Sequence, residues 1–179
     1  MKKLIAFLRA INVGGRTVKM DRLREIFETM GFSNVETFIA SGNVIFETKA
    51  KDVGKLEKTI EKELKEKLGF EVVTFIRSDS ELAGIADYKP YSKSKIDSAT
   101  ALNVVFLSEP LDAKSKRLVM ALKTDIDDFH VHGREVYWLC LKKQSESKFS
   151  NNLLEKTLGM KSTMRGMNTV MKMAKKYAA

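Results

Sequence analysis

Two successive passes of strand, helix, strand, strand and helix predict an α+β protein. The expected plan is an internal duplication of two ferredoxin-like halves of βαββαβ type, with helices packed on mostly antiparallel sheets. Three observations carry this expectation. Apolar periodicity alternates between short strand-like runs and helical stripes. Ser41-Gly42-Asn43 and His132-Gly133 each lie between β-rich segments, as hairpin turns do. The order of elements after residue 101 repeats the order before residue 77. Residues 1–77 then form the first half, 78–100 a connecting helix and polar loop, and 101–179 the second half with a basic C-terminal helix.

Each element has a local cause. Lys3 to Arg9 is an apolar run fit for a buried strand, and Asn12-Val13-Gly14-Gly15 marks a loop. Met20, Leu23, Ile26, Phe27 and Met30 form one helical stripe that Gly31 stops. Val35–Ala40 and Val44–Thr48 make the first hairpin. From Asp52 to Leu68, Val53, Leu56, Ile60, Leu64 and Leu68 keep helical spacing, while Glu61 with Lys65 and Glu63 with Lys67 set the favoured charge order. Phe70–Arg77 closes the half as a strand, and Ser78–Ala86 is a short helix. Asp87–Ala99, polar and interrupted by Pro90, reads as a linker or mobile loop. In the second pass Leu102–Leu107 is a strand, Asp112–Leu122 a helix, and Asp125–Val131 with Glu135–Leu141 a hairpin. Helices over Lys148–Leu158 and Gly166–Tyr177 follow, the last standing where a copy would place its final strand.

The 179 residues suffice for one ordinary domain or two small ones, and 44% hydrophobic residues can build a core, which excludes disorder as the main state. No apolar run approaches the roughly 18 residues of a membrane span, and Met1-Lys2-Lys3 leads into no cleavage-site pattern, so a soluble cytoplasmic protein without a membrane partner is expected. The one cysteine, Cys140, permits no internal disulfide and no four-thiolate zinc site. The net charge is +9, and residues 142–179 carry nine basic against two acidic side chains. Such asymmetry attracts anions, whether nucleic acid, a phosphorylated metabolite or an anionic membrane; a solvated basic helix is the plainer reading.

Three strings stand out: Leu8-Arg9-Ala10-Ile11-Asn12-Val13-Gly14-Gly15, Ser41-Gly42-Asn43-Val44-Ile45-Phe46, and Thr163-Met164-Arg165-Gly166-Met167-Asn168-Thr169-Val170. Together they resemble the bacterial domain of unknown function 1697 family, and Asn103–Leu107 and Ser147-Lys148-Phe149 extend the similarity along the chain. The resemblance implies a duplicated ferredoxin-like architecture in a cytosolic bacterial protein, with no established activity to carry over. Gly166-Met167 departs from it, because that family usually has Asn and Trp there.

The first string also has content of its own. A strand, a glycine loop and a helix start place backbone N–H groups at one spot, where Arg9 and Arg16 can add charge. Gly14-Gly15 matches neither GxGxxG nor GxxxxGK[ST], so no nucleotide fingerprint or cofactor is specified, and a tight turn capped by Asn12 remains open. Ser41 and Asn43 belong first to a turn and alternatively to the same site. The expected ligand set is Arg9, Asn12, Gly14, Gly15, Ser41, Asn43, Lys148, Arg165, Asn168 and Thr169, converging in a basic polar cleft. In it, Arg9 and Arg165 neutralise a small anion, Asn12, Ser41, Asn43 and Asn168 orient it, and Lys148 and Thr169 complete the donors.

No acid–base pair is evident among these residues, so they specify no reaction. Met160, Met164, Met167 and Met171 recur at helical spacing, as a core stripe does. His130, His132 and Asp128 share one strand face, too few ligands for a metal assignment, and Cys140 lies in an apolar run as an inert thiol. The aromatic signature of stacking-type RNA binding is absent; salt-dependent nucleic-acid binding through the basic C-terminal segment is the alternative function.

Overall fold

The computed structural model describes residues 1–178. Packing divides them into two units, Met1–Gly84 together with the residues from Met173 on, and Ile85–Lys172. Each unit carries one four-stranded antiparallel sheet, so the fold is α+β.

In the first unit β1 (Lys2–Leu8), β2 (Ser33–Thr37), β3 (Asn43–Thr48) and β4 (Thr74–Ser78) take the order β2-β3-β1-β4. One face of this sheet receives α1 (Met20–Thr29) and α2 (Val53–Leu68). The two periodicities explain the core, because Leu4, Ala6 and Leu8 alternate along β1 and meet Leu23, Phe27, Ile60 and Leu64 from the helical stripes. Phe27 packs edge-on to Phe46 with centroids 5.5 Å apart. The next helix, α3 (Asp79–Asp87), is capped by Glu81, whose carboxylate accepts from the Ser78 N–H at 2.8 Å.

The second unit contains α4 (Lys93–Ser98), β5 (Ala101–Phe106), α5 (Ala113–Met120), β6 (Asp127–His132), β7 (Glu135–Cys140), α6 (Asn151–Leu158) and β8 (Thr163–Gly166). Its sheet runs β6-β7-β5-β8, the same order by position as in the first. Val105, Val136, Trp138 and Phe129 form its core with Val119 and Leu154 from the helices. Then α7 (Met167–Tyr177) runs from the second unit's residues into the first unit's.

Local features repeat between the units. The Asp52 carboxylate accepts from Lys55 N–H at 3.1 Å to cap α2, and the Ser150 hydroxyl accepts from Leu153 N–H at 3.1 Å to cap α6. Five residues after each cap stands a glutamate, Glu57 or Glu155, whose carboxylate accepts a backbone N–H at or beside the following strand: Ile76 at 2.9 Å, Ser162 at 2.8 Å. Each helix ends on a glycine in the left-handed region, Gly69 at φ 82° and Gly159 at φ 66°. Asp52→Ala and Ser150→Ala each lose one cap and are expected to cost about 1 kcal/mol, read as a lower thermal unfolding midpoint.

Several sequence-based boundaries need correction. The second pass does possess its final strand: β8 precedes α7 and pairs with β5 from Phe106↔Thr163 to Asn103↔Gly166. With four residues, it is too short to show a period. The Asp87–Ala99 segment is not loop throughout, since Ser92 caps α4 by accepting from Lys95 N–H at 3.3 Å. The first hairpin strand ends at Thr37, because Ile39 turns to φ 52° and breaks the extended run. Likewise β4 begins only at Thr74, four residues after Phe70. The four methionines do not make one helical stripe: Met160 precedes β8, Met164 lies within it, and only Met167 and Met171 are on α7.

Candidate functional site

At one end of the first sheet the structure brings together the β1–α1 loop and the β2–β3 turn. Leu8 N–H donates to Gly42 O at 2.8 Å, and Arg9 N–H donates to Val73 O at 2.9 Å. The Asn12 amide braces both segments, donating to Ala40 O and accepting from Val18 N–H, each at 2.7 Å. Asn43 is wholly buried and donates to Phe38 O at 2.8 Å and to the Ser41 hydroxyl at 2.9 Å. Both asparagine amides therefore shape backbone at this end. Gly14 and Gly15 are exposed at φ 62° and 82°, and the non-glycine residues Ala10 and Ile39 take φ 54° and 52°. These left-handed positions concentrate unusual backbone around the two motifs.

The second unit holds the other expected residues. Arg165 is 8% exposed on β8 and donates from Nη1 to Thr163 Oγ1 at 2.8 Å and to Met164 O at 2.9 Å. Burial pulls its pKa down to about 10, which leaves the guanidinium charged at neutral pH. Lys148 is exposed ahead of α6, and Asn168 and Thr169 lie in the first turn of α7, Asn168 exposed and Thr169 half-buried.

Of these residues, Asn168 lines a pocket of about 750 Å³ within the second unit. Tyr88, Tyr91, Ile96, Leu102, Met167 and Met171 supply its apolar wall, with Lys89, Lys93 and Thr100 as polar neighbours. Met167 stands where the resemblance expects tryptophan, so a flexible thioether replaces an indole at this wall. The volume falls in the range of small-molecule sites.

The tyrosines are held from behind. The Tyr88 ring stacks on His132 with centroids 3.9 Å apart and planes 9° apart, and its hydroxyl shares a 2.6 Å hydrogen bond with His130 Nε2. The parity of His130 and His132 on β6 thus serves to seat one aromatic ring. Tyr91 donates to Tyr137 O at 3.5 Å, and the Lys95 ammonium lies 5.1 Å over its ring. Burial first, then the Asp128 charge, pushes the Tyr91 phenol well above its ordinary range.

Asp128 contacts Lys95 directly and lies 3.7 Å from Lys123. Burial would raise its pKa, but the Lys95 bond, the Phe129 N–H and the two lysine charges outweigh it and hold the carboxyl below the ordinary value. A lowered folded pKa stabilises the protein above the ordinary aspartate pKa of about 3.9, and the contribution is lost as pH falls through the folded value. Lys95→Ala should therefore move the Asp128 midpoint upward in a carboxyl NMR titration. Cys140 is buried, its thiol donates to Lys142 O at 2.9 Å, and burial raises its pKa, as suits an inert thiol.

Sequence reasoning missed Tyr88, Lys89, Tyr91 and Lys93, because a polar segment around Pro90 reads as connection. Two tyrosines three residues apart in such a segment were the available signal.

The conserved bacterial protein SP0830 from Streptococcus pneumoniae has a similar structure, with a TM-score of 0.78 and 22% sequence identity over 100% of this chain and 99% of that one. That likeness shows a common fold. No curated protein matches the chain. The family described as "Protein of unknown function (DUF1697)" matches residues 1–137, and with more than half of its length so matched the chain belongs to that family.

Proposed function

We propose that this protein recognises a small anionic molecule, and that the pocket of the second unit receives it. The carrying observation is the pocket's composition: Lys89 and Lys93 beside the Asn168 amide on a mainly apolar wall. Lys89 has no carboxylate partner among the described residues, and Lys93 has only the exposed Asp97, at 3.3 Å, which an incoming anion can displace. The strained loop end around Asn12 and Ser41 acts chiefly as scaffold in this reading, since its asparagine amides are already engaged. We also read the two units as ferredoxin-like copies from an internal duplication; the matching strand orders and the equivalent Glu57 and Glu155 clips support this.

Thermal unfolding against inorganic phosphate, sugar phosphates, mononucleotides and short RNA tests the proposal. Saturation a hundredfold above Kd stabilises by about 2.7 kcal/mol, a midpoint rise of roughly 5–10 °C for a chain of this size. A small anion should give that rise in moderate salt, and the Lys89→Ala, Lys93→Ala double variant should lose it. Shifts from RNA alone that vanish with salt would instead favour polyanion binding by the exposed Lys172 and Lys175 of α7.

A further inference from the structure

We infer that the pocket's ligand is a heteroaromatic anion, with mononucleotides as the simplest class; this rests on the small-anion reading of the same pocket. The aromatic wall is the first reason. Tyr88 lines the pocket, while the rings that hold it do not: His132 is stacked on one face, and Tyr137 and His130 pack beside it with centroids 5.3 and 5.5 Å away. Tyr91 has the Lys95 ammonium 5.1 Å from its ring centroid and His130 edge-on at 6.4 Å, both outside the lining. Both rings are thus fixed before any ligand arrives, and a fixed ring loses little freedom when a flat group stacks on it.

Their hydroxyls point to the same conclusion. Tyr88 is tied to His130 at 2.6 Å and Tyr91 to Tyr137 O at 3.5 Å, so the rings serve the pocket as flat hydrocarbon surfaces. Met167 and Met171 add thioethers, which make favourable contacts with aromatic edges and adapt to ring shape.

The second reason is the polar set. The Asn168 amide has no hydrogen-bond partner among the described residues and presents a donor beside an acceptor. Adjacent donor and acceptor match the edge of a nucleobase, as in bidentate asparagine–adenine pairing. Thr100 Oγ1 donates to Leu141 O at 3.2 Å and keeps lone pairs for a ring N–H. An aliphatic acid or a bare phosphate would accept from the lysines and the Asn168 N–H but would leave the Asn168 carbonyl oxygen without a donor, which a base N–H supplies.

Isothermal titration with AMP, GMP, CMP and UMP against ribose 5-phosphate, inorganic phosphate and octanoate separates these classes. At least one mononucleotide should bind about tenfold or more tightly than ribose 5-phosphate, the gain expected from one stacked base. Tyr88→Ala should remove about that factor, while Tyr88→Phe, which keeps the ring, should recover most of it. Asn168→Ala should narrow the differences among the four nucleotides. Saturation-transfer NMR on the unsubstituted protein should mark base protons above ribose protons, a readout that stands even if Tyr88→Ala fails to fold. Equal affinity for mononucleotides and ribose 5-phosphate would overturn the inference and leave small-anion recognition intact, and so would binding of octanoate without nucleotides. Absence of binding by every small anion would overturn both.

Discussion

Gly42→Ala lowers the thermal midpoint by roughly 6–12 °C, corresponding to about 3 kcal/mol for a chain of this size. Two costs combine. Gly42 stands at φ 83°, where an added Cβ carries a penalty of about 1–2 kcal/mol. That Cβ would also lie 2.6 Å from Ile11 Cγ2 and 3.2 Å from Leu8 Cβ, inside a buried junction where overpacking costs about 1–3 kcal/mol. The comparison variant is Gly15→Ala, at φ 82° but with open space around the new methyl. It bears only the backbone penalty and should lose about a third as much, near 1 kcal/mol. Equal losses from the two variants would show that the Ile11 contact yields without cost.

Asp127→Ala should be at least as damaging. Asp127 is 2% exposed, and its carboxylate accepts from Trp138 Nε1 at 2.9 Å, from the Ser147 hydroxyl at 2.8 Å and from the Thr124 hydroxyl at 3.0 Å. Removing it leaves a buried indole N–H without its acceptor and releases the turn before β6 and the loop before α6 together. Charge-assisted bonds of this kind support an expected loss of about 3–5 kcal/mol. Asp127→Asn, which keeps one acceptor oxygen, should lose less. Near-UV circular dichroism locates the effect, since the Trp138 ring packs on Phe149 with centroids 4.7 Å apart.

What was legible in the sequence had long range along the chain and one period. The α1 and α2 stripes, both hairpins and the α+β class follow from alternation and helical spacing over many residues. The four residues of β8 and the six of α4 are too short for that signal, and β8 is fixed by its pairing with β5 rather than by its own composition. The site divides in the same manner. Asn12, Ser41 and Asn43 stand out as strings because turns demand particular residues locally, and the structure accordingly joins them as a braced corner. The pocket joins residues 86–102 to residues 167–171, a pairing no local rule encodes, and of the expected ligand set only Asn168 lines it.

The first unit is not continuous along the chain. Tyr177 donates to Glu36 at 3.1 Å and sets its ring against Phe38 at 6.1 Å and 88°, while Lys176 reaches Glu36 at 3.5 Å. On the ribosome this has a cost in time. The stretch through Gly84 emerges first, but its last partners follow only after some ninety more residues, about 5–20 s at ordinary elongation rates. Through that interval Glu36 on β2 and Phe38 just beyond it stand without Tyr177 and Lys176. Synthesis order alone therefore makes the contacts around Tyr177 the last of the first unit's to become possible, and a chain truncated before Met173 would lack them.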